Sequence, residues 1–157
     1  MNRAHQDLIV DFYTAFQQRD GQRMSACYHP QARFSDPVFT LDAAGAGNMW
    51  TMFCEGSQDL AVTFGDVRAE GDHGQAHWEA EYTFANTGRP VHNRIDADFR
   101  FRDGKIIEHR DSFSFWAWSR MALGAPGLLL GWTPFLRKKV QRMARARLEA
   151  FESKQHE

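Results

Sequence analysis

The segment from residue 95 to residue 115 constrains the fold more than any other part of the chain. Its sequence, IDADFRFRDGKIIEHRDSFSF, alternates apolar and polar residues on both sides of Asp103-Gly104. This dipeptide favours a hairpin turn because glycine adopts positive φ without steric cost. The segment therefore predicts two antiparallel strands joined by a tight turn.

The length of the hairpin loop decides which side chains share a face. A two-residue loop at Asp103-Gly104 mixes aromatic and charged residues on each face, whereas a three-residue loop beginning at Arg102, closed by a glycine bulge, separates them. We therefore expect the three-residue loop. Its apolar face carries Ile95, Ala97, Phe99, Phe101, Ile107, His109, Asp111, Phe113 and Phe115. A histidine and a carboxylate are thus predicted on the apolar side of a sheet, where ionisable groups are rarely found without a partner or a function.

The rest of the chain up to this hairpin predicts an α+β fold. Helical spacing of apolar residues predicts helices at about residues 8–16, 22–28 and 43–55. Period-two alternation predicts strands at about residues 32–35, 60–64 and 76–84, with a further strand opening at Val91. Because the helices precede most of the strands, we expect a curved antiparallel or mixed sheet with three N-terminal helices over its concave face.

The chain continues beyond the hairpin into a segment that is apolar at first and basic later. Thr133 as N-cap and Pro134 at the first helical position predict a further helix. Its apolar stripe consists of Leu136, Val140, Met143, Ala144, Leu148 and Phe151. We expect a domain of residues 1–116 and a C-terminal helical extension of residues 117–157.

Two interpretations of this extension remain open. In the first, its apolar stripe packs on its own domain or on a partner subunit. In the second, it is a basic amphipathic helix at a membrane surface, with Trp132 and Phe135 as anchors. The first is preferred, and peripheral membrane contact is the alternative.

Composition excludes several classes of function. The chain has 19 Lys and Arg against 20 Asp and Glu and no nucleic-acid-binding motif, so no nucleic-acid partner is expected. It shows neither a signal peptide nor a long uncharged apolar stretch, which predicts a soluble cytoplasmic protein. Cys27 and Cys54 lack metal or redox spacing and are expected to be reduced, buried thiols.

Several short motifs within residues 5–116 carry a resemblance to a known superfamily. They are Phe12-Tyr13-Thr14-Ala15-Phe16, Arg19-Asp20, Tyr28, Phe34-Ser35-Asp36-Pro37-Val38, Phe99-Arg100-Phe101 and residues 103–111. The chain resembles the nuclear transport factor 2-like superfamily, which includes ketosteroid isomerase, limonene epoxide hydrolase and the SnoaL-like polyketide cyclases. The resemblance implies a cone-shaped half-barrel whose helix-capped mouth holds an apolar cavity. It also implies a homodimer, and it indicates fold more strongly than activity.

Ketosteroid isomerase allows a comparison residue by residue. Its general-base aspartate has the same Asp-Pro-Val setting as Asp36. Without a gap in the alignment, its two oxyanion donors fall on Phe12 and Ala97, which cannot supply that hydrogen bond, so steroid isomerisation is not implied. A one-residue slip would be needed to recruit Tyr13. Positions that line its cavity fall on His109, Asp111 and Phe113. The Glu108-His109-Arg110-Asp111 segment of the last predicted strand is also similar to the last strand of SnoaL-like cyclases, in which an inward-facing acid transfers a proton.

The candidate site combines these observations. Its proposed catalytic residues are Asp36, His109 and Asp111, and its proposed ligand-contacting residues are Tyr13, Trp50 and Phe113. A carboxylate in an apolar cavity has a raised pKa and an imidazole titrates near neutrality, so the group can move a proton at one substrate carbon. We expect an isomerase, cyclase, dehydratase or hydrolase that needs neither metal nor cofactor and acts on a small, largely apolar ligand.

Two other functions stay open at this point. The first is a non-catalytic ligand carrier, in which Asp36 only forms an Asx turn before Pro37 and Asp111 only accepts a bond from His109. The second is an interaction or peripheral membrane module in which residues 117–157 are the functional part.

Overall fold

A computed structural model describes residues 2–56 and 58–155. Its helices are α1 Arg3–Gln17, α2 Gly21–Ala26, α3 Ala43–Gly56, α4 Phe115–Leu123, α5 Ala125–Leu130 and α6 Pro134–Gln155. Its strands are β1 Tyr28–Ser35, β2 Thr40–Asp42, β3 Ala61–Glu70, β4 His73–Phe84, β5 Arg89–Arg102 and β6 Lys105–Ser112. The α+β class is therefore confirmed, with three helices before the long strands and a helical extension after them.

The strands form one curved, open sheet in the order β2-β1-β6-β5-β4-β3. β1 and β6 are parallel, and every other pair of neighbours is antiparallel. The mixed sheet of the expected half-barrel is confirmed. Because β6 lies between β1 and β5, its inward side chains face the middle of the molecule.

The turn between β5 and β6 differs from the expected one. Asp103 and Gly104 both have positive φ, 54° and 72°, and Arg102 pairs directly with Lys105. This is the two-residue type I′ loop, whose twist matches that of the flanking strands. The expectation of a three-residue loop beginning at Arg102 is therefore wrong.

A β-bulge in β6 compensates for the shorter loop. The pairing register shifts so that Ile107 is an extra residue, half-buried, while Ile106 is fully buried. Beyond the bulge, His109 lies opposite Phe99 and Asp111 opposite Ala97, both on the buried face. The expected face of these two residues is therefore observed, but Ile107 does not belong to that face.

Several element boundaries differ from expectation; α1 and β1, for example, begin at Arg3 and Tyr28, four or more residues before their expected starts. β6 ends at Ser112, and Phe115 begins α4 instead of closing a strand, because the Ser114 side chain accepts a hydrogen bond from the Ala117 N–H at 3.1 Å. β2 was not expected, since a strand of three residues is too short to show alternation. β3 continues to Glu70, well past the expected end at residue 64.

The core lies between the inner face of the sheet and helices α1 and α3. It is rich in aromatic rings; the largest fully buried side chains are Trp50, Tyr13, Phe12, Phe34 and Phe99. Cys27 and Cys54 are buried free thiols, as expected. A second, smaller cluster packs α4 against β5 through Val91, Phe115, Trp118 and Ala122.

The extension packs on the rest of the chain through α6. Leu136 and Leu148 are buried, the Leu136 N–H donates to Thr133 Oγ1 at 3.3 Å, and Asn48 Nδ2 donates to Glu152 Oε2 at 2.7 Å. Thr133 is thus the N-cap that the sequence predicts. No helix within residues 2–56 and 58–155 is long and apolar enough to cross a bilayer.

The contact between α4 and α5 depends on a glycine. A Cβ atom at Gly127 would overlap the backbone carbonyl of Ser119, which cannot move without shifting α4. We therefore expect Gly127→Ala to lower the free energy of unfolding by about 1–3 kcal/mol, measured by urea denaturation. Gly65→Ala is the matched control, because a Cβ there has no neighbour within 4 Å. Equal stability of the two variants would contradict this packing.

Candidate functional site

A cavity of about 550 Å³ lies between the inner face of the sheet, α3 and the C-terminal helices. Most of its wall is aromatic or aliphatic. These lining residues include Phe16, Trp50, Phe53, Trp78, Ile95, Phe113, Trp118 and Val140. The uncharged or acidic polar residues of the lining are Asp36, Tyr82, Thr83, Asn86, Thr87, Asn93 and Asp111. An apolar pocket with a few polar groups is the usual form of a small-molecule site.

Asp111 reaches the cavity from the inner face of β6. Its Oδ1 atom accepts hydrogen bonds from His109 Nε2 at 2.9 Å and from Trp78 Nε1 at 3.4 Å. Within the described residues its Oδ2 atom has no hydrogen-bond partner. One oxygen therefore fixes the carboxyl group, and the other is available to a ligand.

A chain of hydrogen bonds stands behind Asp111. Trp50 Nε1 donates to Tyr28 Oη at 2.8 Å, and Tyr28 Oη lies 2.8 Å from His109 Nδ1. Tryptophan can only donate, so Tyr28 Oη accepts from Trp50 and keeps its own proton to donate to His109 Nδ1. In this arrangement His109 Nε2 carries a proton and donates it to Asp111 Oδ1. The network thereby assigns the tautomer of His109 and the orientation of Asp111.

Asp36 lies in the turn between β1 and β2. Its Oδ1 atom accepts hydrogen bonds from the backbone N–H groups of Val38 at 2.7 Å and Phe39 at 2.6 Å. The Asx turn expected of an Asp-Pro sequence is therefore present, and the carboxyl group lines the cavity as well. Burial raises the pKa of Asp36 to about 7, although the N–H bonds from Phe39 and Val38 favour its ionised form and lower it. The nearby charge of Asp111 raises the pKa further.

The remaining candidate residues divide into two groups. Trp50 and Phe113 line the cavity. His109 and Tyr13 are fully buried behind its wall and are not among the residues that line it. The Tyr13 ring packs on Phe64 with 5.4 Å between centroids, and its buried hydroxyl lacks a hydrogen-bond partner within the described residues. Burial raises the pKa of this hydroxyl well above its usual value.

Three polar residues that shape the site, Tyr28, Tyr82 and Asn93, are not among the site residues predicted from the sequence. Tyr28 connects Trp50 to His109, and Tyr82 Oη accepts a hydrogen bond from Trp118 Nε1 at 2.8 Å. Asn93 lies on the buried face of β5 and lines the cavity. The alternation of β5, which places Asn93 between two apolar inward residues, could have identified it.

The extension forms one side of the cavity. α6 contributes Leu136, Lys139, Val140, Met143, Ala144 and Arg147 to the lining. Gln141 Nε2 also donates to the backbone oxygen of Pro37 at 3.0 Å, in the turn that carries Asp36. Met143, which the sequence placed in a packing stripe, is half exposed at this wall. α6 therefore both encloses the cavity and supports the Asp36 turn.

Comparisons with known proteins agree with this architecture. The model of the SnoaL-like domain family matches residues 9–109. A search of curated protein sequences gives no match. Within the described residues, no group of three or more His, Cys, Asp or Glu side chains is arranged to hold a metal ion.

Three solved structures illustrate the similarity. A Catenulispora acidiphila protein with a ketosteroid isomerase-like fold, solved with trimethylamine, has 15% identity and a TM-score of 0.66, covering 81% of this chain and 97% of that one. A putative polyketide cyclase from Xanthomonas campestris has 16% identity and a TM-score of 0.64, covering 76% and 96%. IdmH, a putative polyketide cyclase from Streptomyces antibioticus, has 22% identity and a TM-score of 0.62, covering 74% and 96%. At these identities the similarity shows the fold.

Proposed function

Since this chain belongs to the SnoaL-like domain family, in the nuclear transport factor 2-like superfamily, we propose that its cavity is the active site of an acid–base enzyme. The enzyme acts on a small, largely apolar molecule that carries a carbonyl or hydroxyl group. Asp36 takes a proton from a substrate carbon, or in a hydrolysis from water, and passes it to the substrate atom that gains a proton in the reaction: a neighbouring carbon, a new alkoxide or a leaving group. The reaction is an isomerisation, cyclisation, dehydration or hydrolysis that needs neither metal nor cofactor.

One observation carries this proposal: two carboxyl groups, those of Asp36 and Asp111, face the same apolar cavity. A general base works best when its pKa lies near the working pH, and the pKa of Asp36 is about 7. Its free oxygen can accept a proton while its other oxygen holds the turn. The same residue therefore has a structural and a chemical role.

The other site residues support Asp36. Asp111 is a second catalytic group, because its Oδ2 atom is free to accept a hydrogen bond from a substrate hydroxyl. His109 does not line the cavity, so we assign it as a positioning residue that orients Asp111 through the 2.9 Å bond. Trp50 and Phe113 supply flat surfaces for an aromatic or alicyclic substrate.

The cavity size limits the substrate class. A volume of about 550 Å³ is in the range of pockets that enclose a small organic molecule. Cyclic and aromatic ketones fit its apolar wall, and two of the similar structures are putative polyketide cyclases. These structures support a cyclase-type or isomerase-type reaction on such ketones.

The wider organisation of the protein belongs to the same proposal. Residues 1–116 form the catalytic domain, and residues 117–157 form an extension that completes its cavity. The contacts of α6 with the Asp36 turn and with the cavity support this role of the extension. We further propose that the protein is a cytoplasmic homodimer, as the superfamily resemblance implies; sedimentation equilibrium measures the oligomeric state.

Solvent deuterium exchange tests the enzymatic proposal. The protein is incubated in D₂O with a panel of small cyclic and aromatic ketones, and exchange at the carbon next to the carbonyl is followed by NMR. We expect the wild type to accelerate exchange at least about a hundredfold over buffer for a ketone that binds. Native mass spectrometry of the same mixtures identifies the ketones that bind.

A non-catalytic carrier is the second candidate. It is favoured by the two N–H bonds on Asp36 Oδ1, which give the residue a sufficient structural reason to be present. Phe12 and Ala97, at the positions of the oxyanion donors of ketosteroid isomerase, also supply no hydrogen bond. Ketones that bind without accelerated exchange would contradict the enzyme and support the carrier.

A further inference from the structure

Large apolar side chains are exposed together where α5 leads into α6. We define the apolar tip as Leu128, Leu129, Leu130, Trp132 and Phe135. Trp132 is 75% exposed, Phe135 68% and Leu129 66%. Single exposed apolar residues are common, but a contiguous group of this kind marks a site of interaction.

Backbone contacts hold the apolar tip in place. Trp132 Nε1 donates to the Leu129 carbonyl at 3.0 Å, and the Gly131 N–H donates to the Gly127 carbonyl at 2.8 Å. Gly131 itself is buried against Ser119. The turn is therefore anchored to α4 at its base while its large side chains stay outside.

All charged residues of the segment that carries the apolar tip are basic. Residues 112–148 contain seven Lys and Arg and no Asp or Glu, so this segment carries +7, while the remainder must carry −8 to give the net charge of −1. Phe135, Lys138, Lys139 and Arg142 follow i, i+3, i+4, i+7 spacing and share one side of α6. Basic residues therefore adjoin the exposed rings.

We propose that the apolar tip and the basic side of α6 form a docking surface for an anionic lipid bilayer. Tryptophan, phenylalanine and leucine partition into the headgroup boundary, and each nearby Lys or Arg adds attraction to anionic lipid. A second copy of the chain is the poorer occupant, because two segments of +7 would meet at the interface. The docking is peripheral, since the tip is one turn of chain and no described helix can span a bilayer.

Docking places the cavity next to the membrane. Leu123, Pro126, Leu136 and Lys139 line the cavity and belong to the same segment as the apolar tip. An apolar substrate, which concentrates in the bilayer, then reaches the cavity from the lipid. This last step rests on the proposed function, whereas the docking surface does not.

Vesicle co-sedimentation of the full-length protein tests the docking surface. The probes are vesicles of phosphatidylcholine alone and of phosphatidylcholine mixed with phosphatidylserine. We expect binding to the anionic vesicles, weakened by salt, with a blue shift of the total tryptophan emission that is absent when Trp132 is replaced. Neutralising two charges in Lys138→Gln/Arg142→Gln should weaken binding about 25-fold, at about fivefold per charge.

A second variant separates the apolar contribution from the charges. Leu129→Glu/Trp132→Glu should reduce vesicle binding on the order of a hundredfold, because two large side chains no longer enter the bilayer. Val10→Glu is the matched control: Val10 is exposed on α1, away from the tip in sequence, and its replacement should leave binding unchanged. Circular dichroism confirms that each variant is folded.

Three outcomes would overturn the proposal. The first is that the wild-type protein does not bind anionic vesicles, or that the Leu129→Glu/Trp132→Glu variant binds them with the same affinity as the wild type. The second is self-association that Trp132→Glu abolishes, without vesicle binding, which would assign the tip to a second copy. The third is binding to duplex DNA but not to vesicles. Ketone exchange is measured separately, so a failure of docking leaves the proposed function intact, and the reverse also holds.

Discussion

Asp36→Asn should lower kcat/KM by about 10²- to 10⁴-fold on any substrate for which the wild type is active, because the amide cannot accept the proton. The asparagine side chain still has an Oδ1 atom for the Val38 and Phe39 N–H groups, so the turn is retained. For the wild type, kcat/KM should rise with pH and level off above about 7, the pKa of Asp36. Steady-state kinetics across this pH range measure both effects.

A control of the same chemical kind is available in Asp42→Asn. Asp42 Oδ1 also accepts a backbone N–H, that of Gly45 at 2.8 Å, but Asp42 does not line the cavity. This variant should keep the wild-type kcat/KM and pH profile. If Asp42→Asn and Asp36→Asn lower the rate equally, the loss comes from disturbed turns and Asp36 is not the base.

The raised pKa of Asp36 also has a consequence for stability. Because the folded protein holds this proton more tightly than the unfolded chain, Asp36 destabilises the fold as pH rises from about 4 through about 7. Asp36→Asn should therefore raise the free energy of unfolding by about 1–2 kcal/mol above pH 7, after allowance for partial exposure to cavity solvent. The difference should vanish near pH 4. A buried ionisable group that lowers the stability of the fold is typical of a functional site, where the residue serves catalysis and not stability.

The hairpin shows what alternation in a sequence can and cannot determine. The contrast between apolar and charged residues requires one extra residue somewhere between Phe101 and His109, and this requirement was correct. Alternation does not say where the extra residue lies, because a longer turn and a bulge at Ile107 restore the same faces. Asp103 and Gly104 both have positive φ, which is the geometry of a two-residue turn, so the extra residue lies in the bulge at Ile107. These backbone angles are known only from the structure.

The site divides in the same way. Asp36 and Asp111 could be predicted because each has a local signal, a following proline or an inward position on a strand. Tyr28 could not, since its contact with His109 joins residues 81 positions apart. The same holds for Lys139 and Arg147, which reach the cavity only because α6 crosses to the Asp36 turn. Long-range packing of this kind leaves no periodicity in the sequence.

Tyr28→Phe should lower the free energy of unfolding by about 2–4 kcal/mol, because it leaves two buried groups without partners, Trp50 Nε1 and His109 Nδ1. Tyr13→Phe removes the same atom from a ring in the same core, where the hydroxyl has no partner within the described residues. That variant should be as stable as the wild type or more stable by about 1 kcal/mol. Urea denaturation of both variants measures the contrast.

The same pair of variants tests whether the hydrogen-bond chain serves the site as well as the fold. If His109 orients Asp111 only while Tyr28 fixes its ring, Tyr28→Phe should lower kcat with little change in KM, and Tyr13→Phe should change neither. A kcat that stays at the wild-type value in Tyr28→Phe would mean that Asp111 is oriented by Trp78 alone, through its 3.4 Å bond. Equal destabilisation by the two variants would show instead that the chain from Trp50 to Asp111 does not carry the buried polar contacts assigned to it.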